Sequence, residues 1–235
     1  MTLNSKRARL VSGKNMNNRT TLQVSGADAQ DFLQGQLSND IALIQEGDWQ
    51  LNAYCQHQGR IIALFWVARS KDDFFLNFPK CLTDKVKQRL NMFVLMAKVE
   101  ITNSKRALPV LERARLVPEV YLMTSEKFVP QELNLDIDEV GVNFSKGCYP
   151  GQEVVARLHY LGKPKRRMHL FECEQALKVG DKLVAFGSKS AKASGIVVRC
   201  VKSVGKLKYL ATIEVKYQDN EITCNDVKLI RIKDD

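Results

Sequence analysis

The run Ile61-Ile62-Ala63-Leu64-Phe65-Trp66-Val67-Ala68, eight residues, is the longest apolar stretch of the chain and does most to limit its fold. It has the length of a strand and falls far short of the roughly 18 residues that a membrane helix needs. Gln56-His57-Gln58-Gly59 separates it from a second strand-like run, Trp49 to Cys55, so the two read as a hairpin with a longer loop. Thr20 to Val24, Phe74 to Phe78 and Lys98 to Thr102 read as further strands. Ala27 to Gln36 and Leu82 to Leu95 carry apolar residues at helical spacing, the second at Leu82, Val86, Leu90, Phe93 and Val94. Helices mixed with hairpin-linked strands predict an α+β domain on an antiparallel sheet.

After an acidic, irregular stretch from Leu116 to Val142, the pattern changes. Met168 to Phe171, Lys182 to Phe186, Gly195 to Val201, Tyr209 to Val215 and Val227 to Ile232 are short apolar or alternating runs, punctuated by Gly, Asp and Asn. Five such strands at regular spacing predict a small β-barrel. The expected organisation is a loosely held N-terminus over 1–18, an α+β domain over 19–162 and a barrel over 163–235.

Composition narrows the setting. The chain has 235 residues, 45% hydrophobic and 26% charged, ordinary for a globular protein. Met1 to Met16 is polar and basic, without the apolar core of a secretory signal, so a cytoplasmic chain with reduced thiols is expected. Its six cysteines, at 55, 81, 148, 173, 200 and 224, lie too far apart for zinc-ribbon or cluster spacing, and no metal site is expected. Five of them sit in apolar runs and are expected in the core; Cys148 sits in a polar turn. The net charge of +10 is uneven: residues 1–145 hold 18 basic and 16 acidic side chains, residues 146–235 hold 18 and 10. The C-terminal part, densest at Lys163-Pro164-Lys165-Arg166-Arg167, would draw an anionic partner such as RNA, or is simply a solvated basic face.

The chemistry-bearing stretch is Lys146-Gly147-Cys148-Tyr149-Pro150-Gly151-Gln152-Glu153, followed by a helix-like run that contains Arg157. Amides at a helix start favour an anion, including a thiolate. Lys146 and Arg157 add to that bias if they fold toward the sulfur. Two glycines are expected to be demanded by the turn, Tyr149 to anchor it, and Gln152 and Glu153 to bond back to its amides. Cys148 itself has three readings: a nucleophile that forms an adduct, a soft ligand for a passing iron or cluster species, or a small residue in a crowded turn. Among the histidines, His57, His159 and His169, only His159 is close in sequence to Cys148, and a helix-surface role suits it better than a Cys–His pair.

The octapeptide resembles the signature of the YgfZ family, folate-binding relatives of the glycine-cleavage T-protein: Lys-Gly-Cys-aromatic-x-Gly-Gln-Glu. Val24-Ser25-Gly26-Ala27-Asp28 with Phe32 to Asp40, and Phe128 to Leu135, are similar to family segments as well. The resemblance implies a T-protein-like folate-binding domain, a C-terminal barrel, and tetrahydrofolate as cofactor. It implies Cys148 as the essential thiol, with Lys146, Tyr149, Gln152, Glu153 and Arg157 in support. Gln36, Asn39, Asp40, Asn52 and Tyr54 are the implied folate contacts, with Arg166 and Arg167 for its carboxylates. The implied role is support of iron–sulfur cluster assembly or repair and thereby of tRNA modification, with iron–sulfur proteins or tRNA-modifying enzymes as partners. A folate-dependent aminomethyl transferase and a basic RNA-binding protein are the alternatives. Against the transferase, Gln58 to Phe65 lacks the carboxylate that T-proteins carry after the matching Gly. The connection from Val99-Glu100-Ile101-Thr102 to Leu108-Pro109-Val110-Leu111-Glu112-Arg113 is also shorter than in larger relatives.

Overall fold

The computed structural model describes residues 10–11, 18–95, 97–105, 110–111, 116–188, 193–201 and 207–233. Most of the expected loose N-terminus, and most of the short connection through Leu108–Arg113, lies outside those residues.

A two-residue ladder pairs β1 (Leu10–Val11) with β7 (Val110–Leu111). The main sheet holds β2 (Arg19–Ser25), β3 (Trp49–Cys55), β4 (Ile61–Ser70), β5 (Asp73–Pro79) and β6 (Glu100–Ser104) in the order β3-β4-β5-β2-β6, all antiparallel. The register sets Asn52 opposite Phe65 and Tyr54 opposite Ala63. Tyr54, Phe65 and Phe78 form a buried aromatic row with ring centroids 5.8 and 5.1 Å apart. Helices α1 (Ala29–Gln34) and α2 (Thr83–Asn91) add Phe32, Leu33, Val86 and Leu90 to the same core. The antiparallel α+β reading therefore stands. α2 is shorter than the apolar spacing predicts, because Phe93 and Leu95 follow it in an exposed turn.

The C-terminal strands close a barrel of six, in the order β10-β11-β8-β13-β12-β9. They are β8 (Arg166–Cys173), β9 (Lys182–Ala185), β10 (Gly195–Val201), β11 (Leu207–Glu214), β12 (Ile222–Cys224) and β13 (Val227–Ile232). The sequence reading had five. The missed β12 spans three residues, and Asn225 and Asp226, both at positive φ, turn it directly into β13. β11 is buried from Tyr209 to Glu214, with Thr212 and Glu214 as buried polar residues on the face away from the barrel interior. Tyr209, Ala211 and Ile213 fill the barrel, while Leu210 joins Met168 and Val198 in the core shared with the main sheet.

One carboxylate also ties the two parts together. Glu119 accepts bonds from Arg19 on β2 and from the Tyr121 hydroxyl, and lies 3.7 Å from Arg199 on β10. Two cysteines depart from expectation: Cys81 and Cys200 are exposed, since apolar neighbours in sequence do not fix which way a side chain on a turn or strand faces. No helix among the described residues is long and apolar enough to cross a membrane.

Candidate functional site

Cys148 is exposed, between a lysine and a tyrosine that are not. Lys146 is 8% exposed and Tyr149 7%. The chain that leads to the thiol is fastened to the loop after α1. The Asn143 amide donates to Ser38 O at 3.0 Å, the Ser38 hydroxyl to Gly141 O at 2.6 Å, and Asn39 Nδ2 to Val140 O at 3.4 Å. Lys146 is the last fastening: its Nζ donates to Gln34 O at 2.6 Å, Leu37 O at 2.5 Å and Asn39 O at 3.3 Å. Burial holds this ammonium down to about 8, with Asp40 pulling the other way.

Beyond the thiol, the Tyr149 ring lies 5.4 Å from Lys146 Nζ. Its phenol is pushed up by burial and by the neighbouring Cys55, whose own thiol burial drives to about 12. Cys55 is thus a neutral core residue. The Gln152 amide then closes a turn on Tyr149 O, and α3 (Gln152–Leu161) begins from Gly151, which has φ +82°. α3 is seated by Val155, whose carbonyl accepts from Gln131 Nε2 at 2.7 Å.

Only one of the two glycines is demanded by this turn. A Cβ on Gly151 would stand 2.4 Å from Gln56 O and 2.7 Å from both Gly59 N and Gly59 Cα. The turn is therefore wedged backbone to backbone against the β3–β4 loop. A Cβ on Gly147 would meet nothing within 4 Å, and its φ is not left-handed. The expectation of two demanded glycines is corrected on that ground.

The supporting side chains divide. Lys146 and Tyr149 anchor the turn, but the Lys146 ammonium is committed to three carbonyls instead of folding toward the sulfur. Glu153 and Arg157 are exposed, one helical turn apart on α3, and neither Gln152 nor Glu153 caps the turn by a side-chain bond among the described residues. Glu153 still lies where helix N-terminal amides favour a negative charge. His159 stacks on Phe144 with centroids 3.8 Å apart, a packing role at the end of α3.

Of the residues expected to hold folate, Asn39, Asp40, Asn52, Arg166 and Arg167 are engaged within the fold, while Gln36 Oε1 and the Tyr54 hydroxyl are buried without a hydrogen-bond partner among the described residues. Asn52 is fully buried, accepts from the Asn39 amide and donates to Gln50 Oε1. Asn39 donates to Leu51 O and accepts from the Asp40 amide; Asp40 accepts from the Ala42 amide and from Gln34 Nε2. All three shape the loop. Tyr54 is 1% exposed, its hydroxyl pushed up to about 12 by burial while Arg89 pulls it down. Gln36 keeps a buried Oε1 with no hydrogen-bond partner among the described residues.

Arg167 forms a two-pronged pair with Asp136 at 2.6 and 2.9 Å and donates to Gln131 O. Arg166 donates to Ser194 O and Ala193 O and lies 3.6 Å from Glu214 and 3.7 Å from Glu132. Both arginines join β8 to its surroundings, so neither guanidinium is free for a carboxylate ligand. Polar residues in a loop after a helix read as ligand contacts in sequence, while the carbonyls that Asn39 Nδ2 serves come from 12 and 101 residues away. Gln56, Gly59, Ser38, Gln131 and Asn143 were missed for the same reason, although the positive φ of Gly59 follows from its place in a hairpin loop.

What remains is an accessible thiol on a turn fixed at both ends. Such a group can form a covalent adduct or coordinate a soft metal in passing. No group of three His, Cys, Asp or Glu among the described residues is placed to hold a metal ion.

No family model matches the chain. It is 27% identical over 232 residues to an uncharacterized protein of Haemophilus influenzae, covering 79% of this chain and 83% of that one. It is 25% identical over 218 residues to the tRNA-modifying protein YgfZ of Colwellia psychrerythraea, covering 63% and 67%. A segment of 69 residues is 42% identical to the tRNA-modifying protein YgfZ of Photobacterium profundum, 28% of this chain and 21% of that one. Among solved structures, the glycine cleavage system aminomethyltransferase T from Bartonella henselae superposes with a TM-score of 0.68 at 13% identity, over 92% of this chain and 83% of that one. The chain is thus distantly but consistently similar to YgfZ proteins, carries the octapeptide as one turn, and has the fold of aminomethyltransferase T.

Proposed function

We propose that this protein supports tRNA modification as its YgfZ relatives are named for, by assisting iron–sulfur cluster assembly or repair, with Cys148 as the essential thiol. The observation that carries the reading is the exposure of Cys148 between two buried anchors, on a turn wedged at Gly151. An exposed thiol that belongs to no ligand group among the described residues suits a transient hold on a cluster or sulfur species passing to another protein, since a resident cluster needs several thiolates. Most side chains named for folate, Asn39, Asp40, Asn52, Arg166 and Arg167, are engaged within the fold, so the reading rests on the thiol and not on folate. The missing carboxylate in Gln58 to Phe65 weighs against an aminomethyl transferase.

The test is complementation of a bacterial strain that lacks its own family member, read as the level of cluster-dependent thiolated nucleosides in its tRNA. The wild-type chain restores them. Cys148→Ala, shown by circular dichroism and unfolding to keep the fold, does not. Full restoration by the alanine variant removes the thiol from the mechanism.

Direct contact with tRNA is a second reading, favoured by the excess of 8 positive charges over residues 146–235 and by exposed Lys163, Lys165, Lys178, Lys182 and Lys216. It predicts tRNA affinity that falls steeply with salt, since each phosphate contact releases counterions. Binding that is absent or indifferent to salt ends it.

A further inference from the structure

Three backbone carbonyls, Gln34 O, Leu37 O and Asn39 O, converge on one point, and the Lys146 ammonium fills it at 2.6, 2.5 and 3.3 Å. Gln34 is the last residue of α1, and Leu37 and Asn39 follow in the loop behind it. Carbonyls past a helix end have no intrahelical partner, so the point presents acceptors to an N–H donor. Asp40 adds negative charge beside it. An ammonium supplies three N–H donors to three acceptors there, and no other side chain donates to these oxygens among the described residues.

We propose that these three carbonyls form a binding site for a small N–H-bearing cation, that Lys146 is its tethered occupant, and that this occupancy fixes where Cys148 stands. The proposal does not depend on the tRNA-modification reading, because cation binding and thiol position are measured on the purified protein. Lys146 is on this account a positioning residue. Its stem runs from the turn into the α1 loop, and two residues further on the chain has emerged at the exposed thiol.

The experiment removes the tether and offers the cation separately. Lys146→Ala is titrated with methylammonium chloride, with tetramethylammonium chloride at equal ionic strength as a cation that has no N–H. Two quantities are read: Tm, and the rate at which iodoacetamide alkylates Cys148, resolved from Cys81 and Cys200 by peptide mass spectrometry. Without added cation the variant melts roughly 5 °C or more below wild type and its Cys148 alkylation rate departs at least threefold from wild type. Methylammonium restores at least half of both differences in a saturable way; tetramethylammonium does not.

Lys146→Met, whose longer stem occupies the path, stays insensitive to either salt. If the alanine variant does not fold unaided, its refolding yield with methylammonium against tetramethylammonium gives the same reading. A folded alanine variant that responds to neither salt, or to both equally, or a methionine variant that responds as alanine does, overturns the proposal.

Discussion

Alanine at Gly151 and alanine at Gly147 differ by four residue positions in sequence and by several kcal/mol in expected effect. At Gly151 two costs combine. The backbone stands at φ +82°, where an L side chain loses about 1–2 kcal/mol. The new Cβ also stands 2.4 Å from Gln56 O and 2.7 Å from Gly59 N and Cα, all backbone atoms that cannot swing aside. Forcing them apart belongs with overpacking, about 1–3 kcal/mol. The sum of about 2–5 kcal/mol is a large share of the roughly 5–15 kcal/mol that holds a domain together.

Gly147→Ala meets open space at ordinary φ, so its cost stays within about 0.5 kcal/mol. Urea unfolding of both variants, with equal m-values confirming the same transition, gives the two numbers directly. Because the wedge sits between the thiol turn and the β3–β4 loop, Gly151→Ala also changes the Cys148 alkylation rate while Gly147→Ala leaves it near wild type. A Gly151→Ala cost below about 1 kcal/mol, or equal costs for the two variants, would refute the wedge.

Lys146 has a pH signature whose sign is fixed. Its folded value of about 8 lies below the ordinary 10.5, so between those pH values the unfolded chain binds the extra proton and stability rises with pH. Relative to Lys146→Met, wild type gains up to about 3 kcal/mol across that window, measured by unfolding at successive pH values. A difference that is flat, or that falls, contradicts the burial argument. Arg167→Met strands the mostly buried Asp136 carboxylate and costs about 3 kcal/mol, while the double variant Arg167→Met, Asp136→Leu recovers most of it. A double variant as weak as the single one means that Arg167 matters through something other than Asp136.

The fold was legible where side-chain period decides it. The β3–β4 hairpin, the antiparallel sheet and the barrel follow from alternation and turn residues, and β12 escaped because three residues are too few to show a period. The thiol was legible too, since a cysteine in a polar turn before a helix has nowhere apolar to go. Its surroundings were not. Lys146 reads as a cation beside a sulfur, yet its partners are carbonyls more than 100 residues away. Asn39, Asn52 and Arg167 read as ligand contacts because their chemistry suits a ligand, and the fold had already engaged that chemistry. Long-range backbone acceptors leave no mark in local sequence, so an apparent binding residue and a loop-shaping one look alike until the chain is folded.

The account stands on Cys148 being held out to solvent at a fixed place, and alkylation kinetics of the native chain read that property most directly. Peptide-resolved labelling in native buffer is expected to show Cys148 modified at the rate of an open thiol, with Cys55, at 1% exposure, and Cys224 modified only as fast as the protein unfolds. Protection of Cys148 to the same degree as Cys55 would contradict it.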